Sequence, residues 1–168
     1  MHRRLIQKGL LKASQWAIKA AREGFQVPIP QSMLDNLMRR VDDASVRDLQ
    51  LKATPDDRLQ LSGLKKKGVW VEFQATFRMA PPDPNEPGQS LALNLEKADP
   101  FFARGAILSA LAGVDGVSVQ EERVLVDLGN LIEQNDWGRR VPKALRDRLR
   151  IADISTQEGR INLRVAVT

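Results

Sequence analysis

The chain has 168 residues, 42% apolar and 28% charged, which is the composition of one globular domain with a core of its own and not of a disordered segment. It has no cysteine and a single histidine, His2, so disulfide frameworks, thiolate zinc sites, cysteine nucleophiles and histidine-based triads have nothing to be built from. The formal charge of +5 fits nucleic acid, an anionic membrane surface or neither, and the excess is local: through Arg40 there are eight Lys/Arg against two acids.

Residues 3–24, RRLIQKGLLKASQWAIKAAREG, carry the helical period. At about 100° per residue, Leu5, Ile6, Leu10, Ala13, Trp16, Ala17, Ala20 and Ala21 fall on one arc, with Arg4, Lys8, Lys12, Lys19 and Arg22 opposite. This predicts an amphipathic helix with a basic back. Its lysines interrupt every apolar run, so it reads neither as a secretory signal nor as a spanning helix. The chain is therefore expected to be soluble and cytoplasmic, at most peripheral to the inner membrane. Because half of the arc is alanine, the helix is expected to dock on its own domain and touch an anionic surface only electrostatically.

VPIPQSMLDNLMRRV predicts an extended turn around Pro28 and Pro30, then a short helix over 31–41 with Met33, Leu34, Leu37 and Met38 apolar. From Ser45 to Ala80 the period is two. Leu49, Leu51 and Ala53 alternate with polar residues, as do Leu59 and Leu61. In GVWVEFQATFRMA, Val69, Val71, Phe73, Ala75, Phe77 and Met79 share one face of a long strand. Lys65, Lys66 and Lys67 fall between two strands and read as a solvated tip. PPDPNEPG (81–88) lacks donors for a sheet and links this strand to SLALNLEKA, where Leu91, Leu93 and Leu95 alternate.

DPFFARGAILSALAGVDG predicts a helix with Asp99 as N-cap, Pro100 at the first helical position and Gly113 as its stop. Only Arg104 and Ser109 are polar along it, so it needs cover on most sides. The chain closes with VSV (117–119), RVLVDL (123–128), a short turn, the basic segment WGRRVPKALRDRLR (137–150), then RIADIS and a final strand RINLRVAVT with Ile161, Leu163, Val165 and Val167 in phase. The predicted class is α+β: one domain over 1–168, a long, strongly twisted antiparallel sheet curled around an apolar helix, with the N-terminal amphipathic helix beside it.

The order of these elements, with the phrases VSVQEERVLVDLGNLIEQ and EGRINLRV, resembles the bacterial LmeA-like phospholipid-binding family of the TULIP-like (tubular lipid-binding) superfamily over most of residues 30–168. The resemblance implies a curled sheet around a long helix with an apolar groove for acyl chains, and a protein that binds and does not catalyse. Members are commonly exported, and the expectation that residues 3–24 are no signal peptide departs from that habit.

The acid pairs Asp42/Asp43, Asp56/Asp57 and Glu121/Glu122 sit in turn-like contexts where adjacent carboxylates diverge, so they are read as loop residues. No phosphate-cradling glycine loop is present, and no catalytic residue, metal or cofactor is assigned. The candidate lipid-groove residues are Val69, Val71, Phe73, Ala75, Phe77, Met79, Leu91 and Leu93 from strands, with Phe102, Ala106, Ile107, Ala110 and Leu111 from the apolar helix. Periodicity alone does not separate a groove wall from a dry core. The small Gly105, Ala106, Ala110, Ala112 and Gly113 lean toward a groove, because so thin a helix inside a curled sheet leaves volume for a ligand.

The candidate membrane-surface residues are Arg4, Lys8, Lys12, Lys19 and Arg22. Trp137, beside Arg139 and Arg140, reads first as a core tryptophan at a turn and second as an interfacial anchor. The expected partners are a lipid or fatty-acyl ligand and an anionic membrane touched peripherally. Two rivals stand beside this reading. One is a nucleic-acid-binding basic domain, against which the absence of tyrosine and of exposed stacking residues on the strand faces counts. The other is a protein-interaction scaffold without a ligand.

Overall fold

The structure is a computed structural model and describes residues 23–81, 90–133, 139–140 and 142–167. The basic helix expected over 3–24, with its five membrane-surface residues, lies outside the described residues but for its last two positions; so do most of the proline-rich loop and Trp137. In chain order the first elements are β1 (Phe25–Pro30), α1 (Gln31–Arg39), β2 (Val46–Thr54), β3 (Arg58–Lys67), β4 (Val69–Met79) and β5 (Ser90–Asp99). Then come α2 (Ala103–Ala112), β6 (Val117–Gln120), β7 (Arg123–Asp127), α3 (Leu128–Glu133), α4 (Lys143–Arg146), β8 (Leu149–Gln157) and β9 (Arg160–Val167).

The class is α+β and mostly antiparallel, but the strands form two sheets and not one. Six run in the order β2-β3-β4-β5-β7-β6, and three in the order β1-β9-β8. Their side-chain alternation explains the larger sheet. Leu59 pairs with Phe77, Leu61 with Ala75 and Gly63 with Phe73, so every apolar member of β3 and β4 in this stretch meets another on one buried face. Gly68, at φ +75°, supplies the left-handed residue at the tip of the hairpin.

The smaller sheet joins the larger through the β8–β9 turn. The Gly159 N–H donates to the Ala53 carbonyl at 2.9 Å, the Asp57 N–H to Thr156 Oγ1 at 2.8 Å, and Lys52 pairs with Glu158 at 2.9 Å. The two sheets share one apolar core, in which Val27, Ile29, Leu149, Ile161, Leu163 and Val165 continue the cluster of β2–β5.

Two sequence expectations are corrected. Pro28 and Pro30 do not make a turn: they lie in β1, which pairs with β9 from Phe25↔Val165 to Pro30↔Arg160. Prolines are tolerated there because β1 is an edge strand, with Val27 and Ile29 inward and both prolines outward. Asp99 does not cap a helix either. It is the last residue of β5, paired with Gln74; the Asp99–Pro100 bond is cis, and α2 begins three residues beyond Pro100.

Helices α1 and α2 lie on the apolar face of the six-stranded sheet. The helix over 31–39 buries Leu34 and Met38, one turn apart, and Gln31 Nε2 ties it to β2 by donating to the Leu51 carbonyl at 2.6 Å. α2 rests on β5 and β6 through Ala103, Ile107, Ala110 and Leu111, while Gly105, Ser109 and Ala112 are exposed, so one side of this helix is open to solvent.

Candidate functional site

Two places concentrate the residues singled out in the sequence. The first is the seam between the helices. Leu37 and Met38 of α1 and Leu111 and Val114 at the end of α2 face strand side chains including Leu61, Phe77, Leu93 and Val126 across a cavity of about 30 Å³. All of its lining residues are apolar. Of the predicted groove residues, Phe73, Ala75, Phe77, Met79, Leu91, Leu93, Ile107, Ala110 and Leu111 are buried in this layer, and Val71 and Ala106 are half-buried beside it. A dry engineered cavity of about 150 Å³ takes one benzene. At a fifth of that volume, the seam admits no acyl chain while both helices are seated.

Val69 and Phe102 belong elsewhere. Val69 is 70% exposed, Phe102 48% and the adjacent Phe101 78%. The cause is a length mismatch: β4 outruns β5, whose last pair is Gln74↔Asp99, so residues 69–73 pair only with β3. The Pro100–Phe102 turn lies near that overhang, and Lys67, opposite Val69 in the register, holds its Nζ 4.3 Å from the centre of the Phe102 ring. On the other face of the hairpin, the Arg47 guanidinium stacks 4.1 Å over half-buried Trp70.

Charge at this end is organised by Ser45. Its N–H and Oγ–H both donate to Asp43 Oδ1, at 2.8 and 2.6 Å, and Lys65 Nζ donates to Ser45 Oγ. The hydroxyl bond first, then the amide bond and the charge of Lys65, hold the Asp43 carboxyl below its ordinary pKa. The Lys66 N–H donates to the Ser45 carbonyl at 2.7 Å, which ties the tip of the hairpin to the residue before β2. Arg104, in the first turn of α2, pairs with Glu122 at 2.8 Å. Among the described residues, Lys66 and Lys67 make no ion pair.

Sequence reading missed this end because it assigned Lys65–Lys67 to a solvated tip and Phe102 to the groove. A signal was available: residues 59–71 and 100–114 hold Lys65, Lys66, Lys67 and Arg104 and no acid. The acid pairs do occupy connections, with Asp56, Asp57 and Glu121 at positive φ. Among the described residues no polar or charged residue is buried and no group of three acid, histidine or cysteine residues could hold a metal. No described helix is long and apolar enough to cross a membrane. No family model, curated protein or solved structure matches the chain.

Proposed function

We propose that this chain is a non-enzymatic lipid-binding domain that takes an acyl chain between the six-stranded sheet and its two helices and works at an anionic membrane surface. The observation that carries the reading is the seam: a purely apolar cavity where the two helices meet over the sheet. Separating α1 from α2 there breaks no strand pairing, because each helix contacts the sheet by side chains while the strands are paired with one another. In the loaded form the twisted sheet would curl about α2 and the acyl chain together. The same arrangement is what the resemblance to the LmeA-like family implies.

The test is uptake of a sixteen-carbon fluorescent fatty acid in solution, with native mass spectrometry of protein purified without detergent. One acyl mass per chain is expected. Ala110→Trp, which overfills the layer at a cost of about 1–3 kcal/mol, should remove uptake while far-UV circular dichroism shows the fold retained. Absence of uptake by the unmodified chain would overturn the reading.

A further inference from the structure

We infer that the end of the molecule built from the β3–β4 hairpin tip and the Phe101–Phe102 turn is a docking surface for an anionic lipid bilayer. It rests on the lipid reading for what the surface faces, and it is tested apart from that reading.

Single exposed apolar side chains are ordinary on a protein surface. Here, however, the three large apolar residues that stand exposed among the described residues, Val69, Phe101 and Phe102, are all at one end. Lys67 links them, since it is opposite Val69 in the hairpin and over the ring of Phe102. Phe101 likewise has the Arg104 guanidinium 5.9 Å from its ring centre.

The charge is one-sided on this face. Asp43 is occupied by Ser45, Asp48 lies 3.9 Å from Arg47, and Glu122 is taken by Arg104. Glu72 and Asp99 alternate onto the opposite face of the sheet, in line with Leu64 and Gln74. What remains on the face of the apolar residues is Lys67, exposed and without a carboxylate partner among the described residues; Lys66, exposed at the same tip, alternates with Trp70 onto the other face.

That combination selects the occupant. A second copy seated on the same face would bring the two Lys67 ammonium groups together, and bulk water leaves two phenylalanine rings unburied. An anionic bilayer satisfies both. The rings and Val69 enter the boundary of headgroups and acyl chains, while the Lys67 stem runs along them and carries its ammonium group up to the phosphates, with Lys66 reaching them from the other face of the tip. Trp70 with Arg47 then sits at headgroup depth, where an indole prefers to be.

The experiment is co-sedimentation of the full chain with vesicles of phosphatidylglycerol and phosphatidylcholine in equal parts, and with phosphatidylcholine alone, at 0.1 M salt. Binding to the anionic vesicles only is expected. Each lysine lost weakens it about fivefold, so Lys66→Ser with Lys67→Ser should cost about 25-fold. Phe101→Ser with Phe102→Ser should cost at least tenfold. Both rings are exposed, so the urea midpoint should hold in these variants. A chain with Trp16→Phe and Trp137→Phe, leaving Trp70 alone, should be quenched by brominated lipid in bound samples.

Three results would overturn the inference: no binding to anionic vesicles by the unmodified chain; unchanged binding in both variant pairs, with loss only when Lys8, Lys12 and Lys19 are changed to Glu; or a phenylalanine-dependent dimer that ignores vesicles. Fatty-acid uptake in solution separates the two readings. Uptake without vesicle binding removes the docking surface and keeps the cargo site, and vesicle binding without uptake does the reverse.

Discussion

Val126→Ile should tighten the fold and weaken acyl uptake at the same time. Val126 is buried on β7, paired across the sheet with Leu91 and Val117, and its side chain borders the seam cavity. Isoleucine keeps the β-branched shape and adds one methylene toward a void of about 30 Å³. At roughly 24 cal/mol per Å³, a void of that size costs about 0.7 kcal/mol, close to the ~0.8 kcal/mol of one buried methylene. With a urea slope near 2 kcal/mol/M, the midpoint should rise by about 0.3 M. If uptake needs the helices to part, stabilising the closed form by that amount weakens it about threefold. Leu111→Ala should move both quantities the other way, losing about 2–5 kcal/mol of stability while enlarging the space a ligand can enter. Urea unfolding followed by circular dichroism and titration with a fluorescent fatty acid measure the two effects on the same samples. A stabilised Val126→Ile whose uptake is unchanged would show that the seam is not where the chain goes. A destabilised one would show that the packing reasoning itself fails.

Asp43→Asn should destabilise the fold near neutral pH and be harmless in acid. The folded carboxyl is held below its ordinary value by Ser45 and Lys65, so its contribution is full above about pH 4 and disappears as pH falls through the folded pKa; the gap between the two proteins should close over that range in urea melts. Gly63→Ala should cost about 1–3 kcal/mol, because its Cβ would sit 2.8 Å from Leu49 Cδ2 and 3.1 Å from both the Arg47 carbonyl oxygen and Phe73 Cζ, read as a lowered thermal midpoint. Acyl transfer from anionic vesicles, followed by stopped-flow fluorescence, should be slowed by Phe101→Ser with Phe102→Ser, while uptake of free fatty acid at equilibrium is unchanged; equal slowing of both would tie the rings to the cargo site and not to docking.

What the sequence made legible was whatever a short window contains. The alternation of β4 places Phe73, Ala75, Phe77 and Met79 on one face, and its sequence neighbours β3 and β5 are also its partners in the sheet, β3 across Gly68 and β5 across residues 80–89. β1 was not legible in that way. Its partner β9 lies about 135 residues away, and its two prolines argue for a turn until an edge position beside that partner excuses their missing donors. At Asp99 the capping signature competed with strand pairing to Gln74, and pairing won. Alternation also says which face a residue is on, and not where the cover over that face stops. Val69 is in phase with Phe73 and still exposed, because β5 ends before reaching it. Half of the candidate site is a consequence of that overhang, which no periodicity encodes.

On the proposed lipid reading, the closed seam and the open end answer one energetic difficulty. Parting the helices in water exposes Leu37, Met38, Leu111 and Val114, at about 1.5–3 kcal/mol each, or about 6–12 kcal/mol together. A free fatty acid with about fourteen methylenes returns roughly 11 kcal/mol on leaving water, so loading from solution is near balance. A chain already in a bilayer gains almost nothing by moving to another apolar place, and the opening cost then has no counterweight. It is offset only if the surfaces uncovered by opening face lipid instead of water. Phe101 and Phe102 directly precede α2, so an end that seats them in the bilayer also brings the start of that helix to the acyl boundary. On the proposed reading, loading from a membrane begins at the docked end and reaches the seam along α2, whose far end carries Leu111, so its rate, more than its final extent, should depend on the two phenylalanines.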